Sequence, residues 1–154
     1  MVDRYSILVP FDGSEYSKRA LDEAIKISQN RDAQLLLAMA VTAPKVEPTA
    51  LVISGMIKGG VNKALDKYAK EAIEKAHKLM QENVKYCERK GIDAAYKVTS
   101  GNPYDIILDL AQKNQVDLIV MGSQGLRGIK KVKVLGSVSR HVLENAKCPV
   151  MVVH

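Results

Sequence analysis

The sequence predicts an α/β fold in which an open, mostly parallel sheet of five strands lies between helices on both faces. Short apolar segments alternate along the chain with longer amphipathic ones. The apolar segments lack charges, which is typical of strands that are buried on both sides. Strands that are joined through helices run parallel, with right-handed crossovers. The length of 154 residues suits one domain spanning residues 1–154, because single domains commonly contain 100–150 residues.

The first strand and the first helix are predicted near the start of the chain. Residues 7–9 (Ile-Leu-Val) form a buried strand that Pro10 ends. Asp12-Gly13-Ser14 follows as a turn, and Ser14 is placed to cap a helix. Residues 30–32 end that helix. Its buried face is predicted from apolar and small residues at helical spacing, namely Leu21, Ala24, Ile25 and Ser28.

The middle of the chain predicts a second strand, an irregular segment and a long helix. Residues 35–41 are all apolar and predict a buried strand. Residues 44–60 contain two prolines and three glycines, which favours a mobile loop with at most one helical turn. Residues 61–89 predict a helix roughly 45 Å long, a length at which a bend or a break into two helices is expected as an alternative to one straight helix. Its predicted core stripe is Val61, Leu65, Tyr68, Ala72, Ala76 and Leu79.

The last third predicts three strands and two helices. Residues 94–99 form a more polar strand, expected at a sheet edge, and Asn102-Pro103 begins the next helix. Residues 117–121 form the fourth strand, and a glycine-rich, basic segment follows at residues 122–136. Ser137 is expected to cap a helix that reaches residue 146. The fifth strand is predicted at residues 150–153.

The glycine-rich segment is the strongest candidate for a ligand site. Open α/β sheets bind ligands beyond the carboxyl ends of their strands. Glycines allow backbone N–H groups to approach an anion, and a helix start at Gly136-Ser137 favours phosphate. The hydroxyls of Ser137 and Ser139 add donors. Positive charge comes from the same segment, at Arg127, Lys130, Lys131 and Lys133. Together these residues predict a polyphosphate cradle.

Composition and missing motifs narrow the function classes. The net charge of +6 fits nucleic acid, an anionic membrane or a phosphorylated ligand, or simply a solvated surface. Aromatic residues are only 5% and Trp is absent, which argues against a nucleic-acid partner. The P-loop, the dinucleotide motif and the serine elbow are all missing. No metal-ligating cluster and no nucleophile–base pair is visible, so no catalytic residue is predicted.

The sequence also predicts where in the cell the protein is located, and it argues against a membrane partner. No run approaches the ~18 apolar residues of a membrane span, and the first residues lack the apolar core of a signal peptide. Cys87 and Cys148 are too few and too scattered for a disulfide framework. We therefore expect a cytoplasmic protein.

Four blocks of the sequence, in order, resemble the universal stress protein family. Residues 7–14 resemble its opening, residues 121–125 and 135–139 its ATP-binding signature, and residues 148–153 its closing strand. The resemblance implies a Rossmann-like sheet of order 3-2-1-4-5. It also implies a homodimer through the last strand, Val150–Val153, whose uncharged edge a soluble monomer would normally avoid. The resemblance does not identify a signalling partner.

The resemblance also implies the nucleotide, ATP with Mg²⁺ on its phosphates, and the residues that hold it. Asp12 would meet the adenine, and Val41 would pack on the base. The glycines and hydroxyls that follow the fourth strand would hold the ribose and phosphates. The full implied set is Pro10, Phe11, Asp12, Val41, Met121, Gly122, Ser123, Gly125, Gly136, Ser137, Val138 and Ser139.

Alternatives stay open beside this interpretation. Ten residues separate Gly125 from Gly136, whereas the family pattern has one fewer. That difference leaves a dimeric interaction scaffold without nucleotide as the alternative function. Asp12 is equally explained as a turn residue, Ser137 as a helix cap and Val41 as core. With ATP bound, the protein would act as a regulator in the stress response, with slow hydrolysis at most.

Overall fold

The computed structural model describes residues 4–43, 60–126 and 134–154, in which strands and helices alternate. The predicted loop at residues 44–60 therefore lies outside the described residues, except for Gly60. Arg127, Lys130, Lys131 and Lys133 lie outside them as well. The elements are β1 (Tyr5–Pro10), α1 (Glu15–Gln29), β2 (Ala33–Val41), α2 (Gly60–Arg89), β3 (Asp93–Ser100), α3 (Pro103–Lys113), β4 (Leu118–Gly122), α4 (Ser137–Asn145) and β5 (Val150–Val153).

The sheet has the predicted order, β3-β2-β1-β4-β5, and every strand pair is parallel. β1 lies at the centre, with Ile7 opposite Leu35 of β2 and opposite Leu118 of β4. Asp117 joins β4 to β1 at their amino ends, because its Oδ2 accepts the Ser6 N–H at 2.8 Å. The chain moves from β1 towards one edge of the sheet and later returns to β1's other side. The switch point between β1 and β4 is therefore where a ligand site is expected.

Two apolar cores cover the two faces of the sheet, as the uncharged strands predict. Ile7 and Val9 pack on the α1 and α2 side, and Leu8 packs on the α3 and α4 side. All three side chains are 0% exposed, and each contributes roughly 1.5–3 kcal/mol through burial. The closely packed centre of the sheet fixes the positions at which the loops after β1 and β4 begin.

The helix α2 is continuous over 30 residues, so it is not broken in two. Its buried residues are Ala76, Met80 and Cys87. Tyr68 was predicted to belong to the core stripe, and that prediction is wrong, because its side chain is 57% exposed. A helix of about 45 Å is longer than the strands that it covers, at about 3.3 Å per residue. Among the residues whose burial the structure describes, the buried ones of α2 all lie in its carboxyl-terminal half.

The two edge strands differ in character. β3 is an edge strand, as predicted, and Asp93, Ala95 and Lys97 alternate outward along it. β5 forms the opposite edge, and Met151 is 40% exposed there. Among the helices in the described ranges, none is long and apolar enough to cross a lipid bilayer.

Candidate functional site

The loops that follow β1 and β4 meet beside the first turn of α4. We call this region the switch-point site and define it as residues 11–14, 122–126 and 134–139. Pro10 is the last residue of β1, and Phe11 continues the pairing because its N–H donates to the Ala38 carbonyl at 2.8 Å. Phe11 is 3% exposed. Both residues therefore form the base of the site rather than its surface.

Asp12 connects the two loops through its carboxylate. Its Oδ1 accepts the Ser14 N–H at 2.9 Å, and its Oδ2 accepts the Leu126 N–H at 3.1 Å. The first bond closes a turn around Gly13, which has a φ of +83°. The interpretation of Asp12 as a turn residue is therefore correct. The second bond shows that the tips of β1 and β4 meet, which the predicted ligand site requires.

Two of the predicted glycines are explained by packing within the protein. A Cβ on Gly122 would lie 2.7 Å from the Tyr16 backbone carbon, so a glycine lets β4 approach the start of α1. A Cβ on Gly125 would lie 2.8 Å from Asp12 Oδ2. Gly125 therefore leaves room for the carboxylate to reach the Leu126 N–H. Both glycines allow the parts of the site to approach each other closely, whether or not they also bind a ligand.

Hydrogen bonds fix α4 to the loop after β4. The Gly136 N–H donates to the Ser123 carbonyl at 2.8 Å. The Ser139 hydroxyl donates to the carbonyls of Gly122 at 2.9 Å and Ser123 at 3.1 Å. Ser139 is 3% exposed, and a hydroxyl has one proton to donate. We therefore assign the Ser139 hydroxyl to positioning α4.

Ser137 was predicted to cap α4, and that prediction is wrong. The N-cap is Gly136, with φ −63° and ψ 161°, and no side chain caps the helix. The Gly136 carbonyl accepts the Arg140 N–H at 3.0 Å, which makes Ser137 the first helical residue. Glycine is also a favoured N-cap residue, so the sequence Gly-Ser alone does not settle which of the two takes that position.

The amino terminus of α4 is suited to an anion. An α-helix leaves its first N–H groups without intrahelical partners, and its dipole places partial positive charge there. Gly136 has no side chain to satisfy them, and the first turn of α4 contains no acidic residue. At α1, by contrast, Ser14 accepts the Ser17 N–H at 3.1 Å and Glu15 lies in the first turn. Of these two helix starts, α4 offers the better phosphate site.

The other predicted residues surround this centre. Val41 ends β2 and is half-buried, and its carbonyl accepts the Gly101 N–H at 3.1 Å. Met121 and Ser123 are buried at 3% and 1% exposure. Val138 packs on the α3 and α4 core. The structure thus brings the predicted residues after β1 and β4 together, while several of them face the protein interior.

Gln124 belongs to the site. The sequence places it in the glycine-rich segment predicted as the ligand site, but the set of nucleotide-binding residues implied by the resemblance does not include it. It is buried, at 7% exposure, and its Nε2 donates to the Val134 carbonyl at 2.7 Å. This bond joins the two described ends of the basic segment. The sequence signal for this bond is an amide side chain between Ser123 and Gly125. A long polar side chain in a tight glycine-rich loop often forms hydrogen bonds with the backbone.

Comparison with known proteins identifies relatives over nearly the whole chain. The sequence profile of the universal stress protein family matches residues 4–154. Universal stress protein MJ0531 of Methanocaldococcus jannaschii is 32% identical, over 96% of this chain and 80% of that protein. Universal stress protein YxiE of Bacillus subtilis is 31% identical, over 96% of this chain and 97% of that protein.

Solved structures share the fold. Universal stress protein UspA from Lactobacillus plantarum superposes with a TM-score of 0.82, at 24% identity and full coverage of both chains. A universal stress protein in complex with cAMP superposes with a TM-score of 0.59, at 27% identity, over 98% of this chain and 97% of that one.

Proposed function

The chain belongs to the universal stress protein family, and from that premise we propose that it binds an adenine nucleotide, ATP, at the switch-point site. Binding would serve regulation in the stress response rather than rapid chemistry. The neighbour that was solved with cAMP supports an adenine nucleotide as the ligand class. The choice of ATP rests on the glycine signature and on the basic segment that follows it.

One observation carries the proposal: the start of α4 is uncapped and is held at the switch point. Its N–H groups lie next to the loop that follows β4, where Gly136 and Ser139 bond to that loop. A phosphate there would accept the N–H groups of Ser137 and Val138, and the helix dipole would favour its charge. Gly136 supports this assignment, since a Cβ there would make only an ordinary 3.4 Å contact. The fold therefore does not require a glycine at that position.

In this proposal, the adenine base and the Mg²⁺ ion are bound by different groups. Asp12 would face the adenine from the β1 side, and Val41 would cover the base from the end of β2. Within the described ranges, no group of three or more His, Cys, Asp or Glu side chains is arranged to hold a metal. We therefore assign Mg²⁺ to the phosphate oxygens of the bound ATP, which are ligands that it prefers.

The ligand is identified first from the purified protein. The chain has no Trp, so a co-purified adenine nucleotide would dominate the absorbance near 260 nm. Acid release and chromatography would identify it. Titration calorimetry with ATP, AMP and cAMP would then rank the three. We expect ATP to bind most tightly, because it places the most negative charge near α4 and the basic segment.

Two variants and one control test the site itself. Asp12→Asn keeps an oxygen for the Ser14 N–H, but it removes the charge and the second oxygen, which accepts the Leu126 N–H. Gly136→Val covers the start of α4 with a branched side chain. Each should weaken ATP binding at least about tenfold, which corresponds to ~1.4 kcal/mol. Asp117→Asn is the matched control, because Asp117 also accepts a backbone N–H but lies at the amino end of the sheet. It should bind ATP normally.

A dimeric scaffold without nucleotide is the second candidate, and one contact favours it. Both oxygens of the Asp12 carboxylate accept backbone N–H groups within the protein, so the side chain has partners without a ligand. Normal ATP binding by folded Asp12→Asn and Gly136→Val variants would reject the proposed site. No binding of any adenine nucleotide by the unmodified protein would leave the scaffold as the function.

The partner and the location complete the proposal. We propose a homodimer in which the β5 strands of two copies pair about a two-fold axis, since β5 forms a sheet edge with an exposed Met151. Both cysteines carry free thiols, which suits the reducing cytoplasm.

A further inference from the structure

Gln124 is a side chain of the switch-point site to which the proposed function gives no role. It is 7% exposed, whereas glutamine is mostly found at protein surfaces, because burying an amide costs free energy unless hydrogen bonds replace those to water. Its Nε2 donates to the Val134 carbonyl at 2.7 Å. A buried amide with a short hydrogen bond keeps one conformation and fixes its partner. Gln124 therefore has the properties of a residue that holds backbone in place.

The backbone that Gln124 holds leads directly into α4. Val134 lies just ahead of Gly136, the N-cap of α4. Gly136 packs on the same loop, since a Cβ there would lie 3.4 Å from the Ser123 carbonyl oxygen and 3.5 Å from Gln124 Cα. The Gly136 N–H also donates to the Ser123 carbonyl at 2.8 Å. The chain that enters α4 is thus attached to the loop after β4 by the Gln124 side chain and by the Ser123 carbonyl.

The other side of that loop is attached to the turn after β1. The Leu126 N–H donates to Asp12 Oδ2 at 3.1 Å, and Asp12 Oδ1 accepts the Ser14 N–H at 2.9 Å. The Gln124 side chain takes part in neither bond. Losing its bond to Val134 should therefore release the chain that enters α4, while the turn around Asp12 stays in place.

The first N–H groups of α4 depend on this attachment for their direction. Hydrogen bonds weaken steeply as they bend, so a phosphate is held well only where the N–H groups of Ser137 and Val138 converge on it. At α1, the Ser14 side chain steadies the first turn by accepting the Ser17 N–H. At α4, no side chain caps the helix. Contacts ahead of the N-cap must therefore position the first turn of α4.

We propose that Gln124 is a positioning residue that sets the affinity of the switch-point site for phosphate groups and not for the adenine base. This inference rests on the proposed function, because the phosphates are those of the bound nucleotide. Gln124 acts through Val134 rather than by touching the ligand. It keeps the start of α4 against the loop after β4, so that the N–H groups of Ser137 and Val138 point to one position.

Gln124→Met is the first test, because methionine keeps the length of the side chain and removes its hydrogen-bonding groups. Titration calorimetry would compare ATP with adenosine, which has no phosphate. ATP should bind about tenfold more weakly to the variant than to the unmodified chain, and the affinity for adenosine should change by less than about twofold.

Asn114→Leu is the matched control. Asn114 Nδ2 donates to the Leu110 carbonyl at 2.8 Å, so this variant also removes a bond from a side-chain amide to a backbone carbonyl. Asn114 is the C-cap of α3 and lies outside the site. The Asn114→Leu variant should bind ATP and adenosine normally.

Gln124→Glu adds a readout that a general packing defect would not change. An ionised carboxyl group cannot donate to the Val134 carbonyl, whereas a protonated one has an O–H donor. Burial raises the pKa of a carboxyl group, so lowering the pH from ~8 to ~5 should restore part of the bond. The affinity of this variant for ATP, divided by that of the unmodified chain at the same pH, should therefore rise severalfold. That ratio cancels the titration of ATP and of Asp12, which both proteins share.

The outcomes separate this inference from the proposed function. An unmodified chain that binds no ATP rejects both. Where the unmodified chain binds ATP, equal losses of ATP and adenosine binding in Gln124→Met reject the inference alone, because they show a general effect on the fold. Normal ATP binding by Gln124→Met rejects it as well. If Gln124→Met does not fold, the Gln124→Glu ratio decides, and a ratio that stays constant with pH rejects the inference.

Discussion

Gly122 and Gly136 lie in the same site but lack side chains for different physical reasons. A Cβ at Gly122 would lie 2.7 Å from backbone and side-chain carbons of Tyr16, whereas one at Gly136 would have its nearest neighbour at 3.4 Å. Close contact with backbone cannot be relieved by rotating a side chain. Close packing therefore explains Gly122 but does not explain Gly136, which is the N-cap of α4.

Gly122→Ala should lower the free energy of unfolding by about 1–3 kcal/mol, because β4 or α1 must shift to admit the methyl group. Gly136→Ala is the matched control: it creates no close contact, and as a change at the N-cap of α4 it should cost only about 0.5–1 kcal/mol. Urea unfolding followed by circular dichroism would measure both. Equal stability of the two variants would contradict the packing explanation of Gly122.

The buried thiol of Cys87 should make stability depend on alkaline pH. Burial raises the pKa of Cys87 from 9.0 to about 11, so the unfolded chain releases this proton at a lower pH than the native protein. The stabilisation is complete below pH ~9 and is lost as pH rises towards ~11.

Cys87→Ala should therefore reduce the slope of unfolding free energy against pH between about 9 and 11. The difference across that range should be on the order of 2 kcal/mol. Urea unfolding at several pH values would measure it, with Cys148→Ala as the control for a thiol that is only partly buried. Identical slopes for the Cys87→Ala variant and the unmodified chain would show that the native thiol titrates normally.

The N-cap residues of α1 and α3 were predicted correctly from the sequence, whereas the N-cap of α4 was not. At α4, both Gly136 and Ser137 are residue types that can take the N-cap position. Ser14 caps α1 and Asn102 caps α3, as predicted. Ser137 was chosen as a cap over Gly136 because a hydroxyl is the stronger signal. The backbone angles of Gly136 decide between them, and those depend on its bond to Ser123 in a distant loop.

The helix α2 shows how far a periodic pattern predicts burial. Its apolar stripe runs the length of the helix, but the sheet covers only the part that contains Ala76, Met80 and Cys87. The position of the sheet is set by tertiary packing, which a pattern along one helix does not contain. The start and end of α2 were therefore predictable, and the exposure of Tyr68 was not.

Met80→Ala should cost about 2–5 kcal/mol of unfolding free energy, because Met80 is 0% exposed and its loss leaves a cavity. Tyr68→Ala, on the same helix, should change stability by no more than about 0.5 kcal/mol. Thermal unfolding of the two variants checks the contrast. A large loss for Tyr68→Ala would mean that this side chain is covered in solution, by a partner copy or by the rest of the chain.

The architecture as a whole followed from apolar strands alternating with amphipathic helices, which leaves few topologies other than a parallel α/β sheet. The order of the strands did not follow from periodicity. It came from the family resemblance, because the same strands can be arranged in more than one doubly wound order. The meeting of Asp12 with Leu126, residues that are far apart in sequence, is a consequence of that order.

The proposed dimer should depend on the apolar edge of β5. Met151→Lys places a charge on an edge strand that would pair with its copy, and edge charges block strand pairing. Light scattering at micromolar concentration should give a dimer for the unmodified chain and a monomer for the variant. Lys97→Met on β3, at the opposite edge, is the control and should leave the dimer intact. A monomeric unmodified protein would reject the dimer.

The bonds that join α4 to the loop after β4 bear on how a ligand would associate. Gly136 and Ser139 are already tied to Ser123, so these groups become ordered when the chain folds rather than when a nucleotide arrives. A preorganised site loses little conformational entropy on association. The Ser139→Ala variant, which removes the hydroxyl that bonds to that loop, should therefore show a more unfavourable entropy of nucleotide binding in calorimetry.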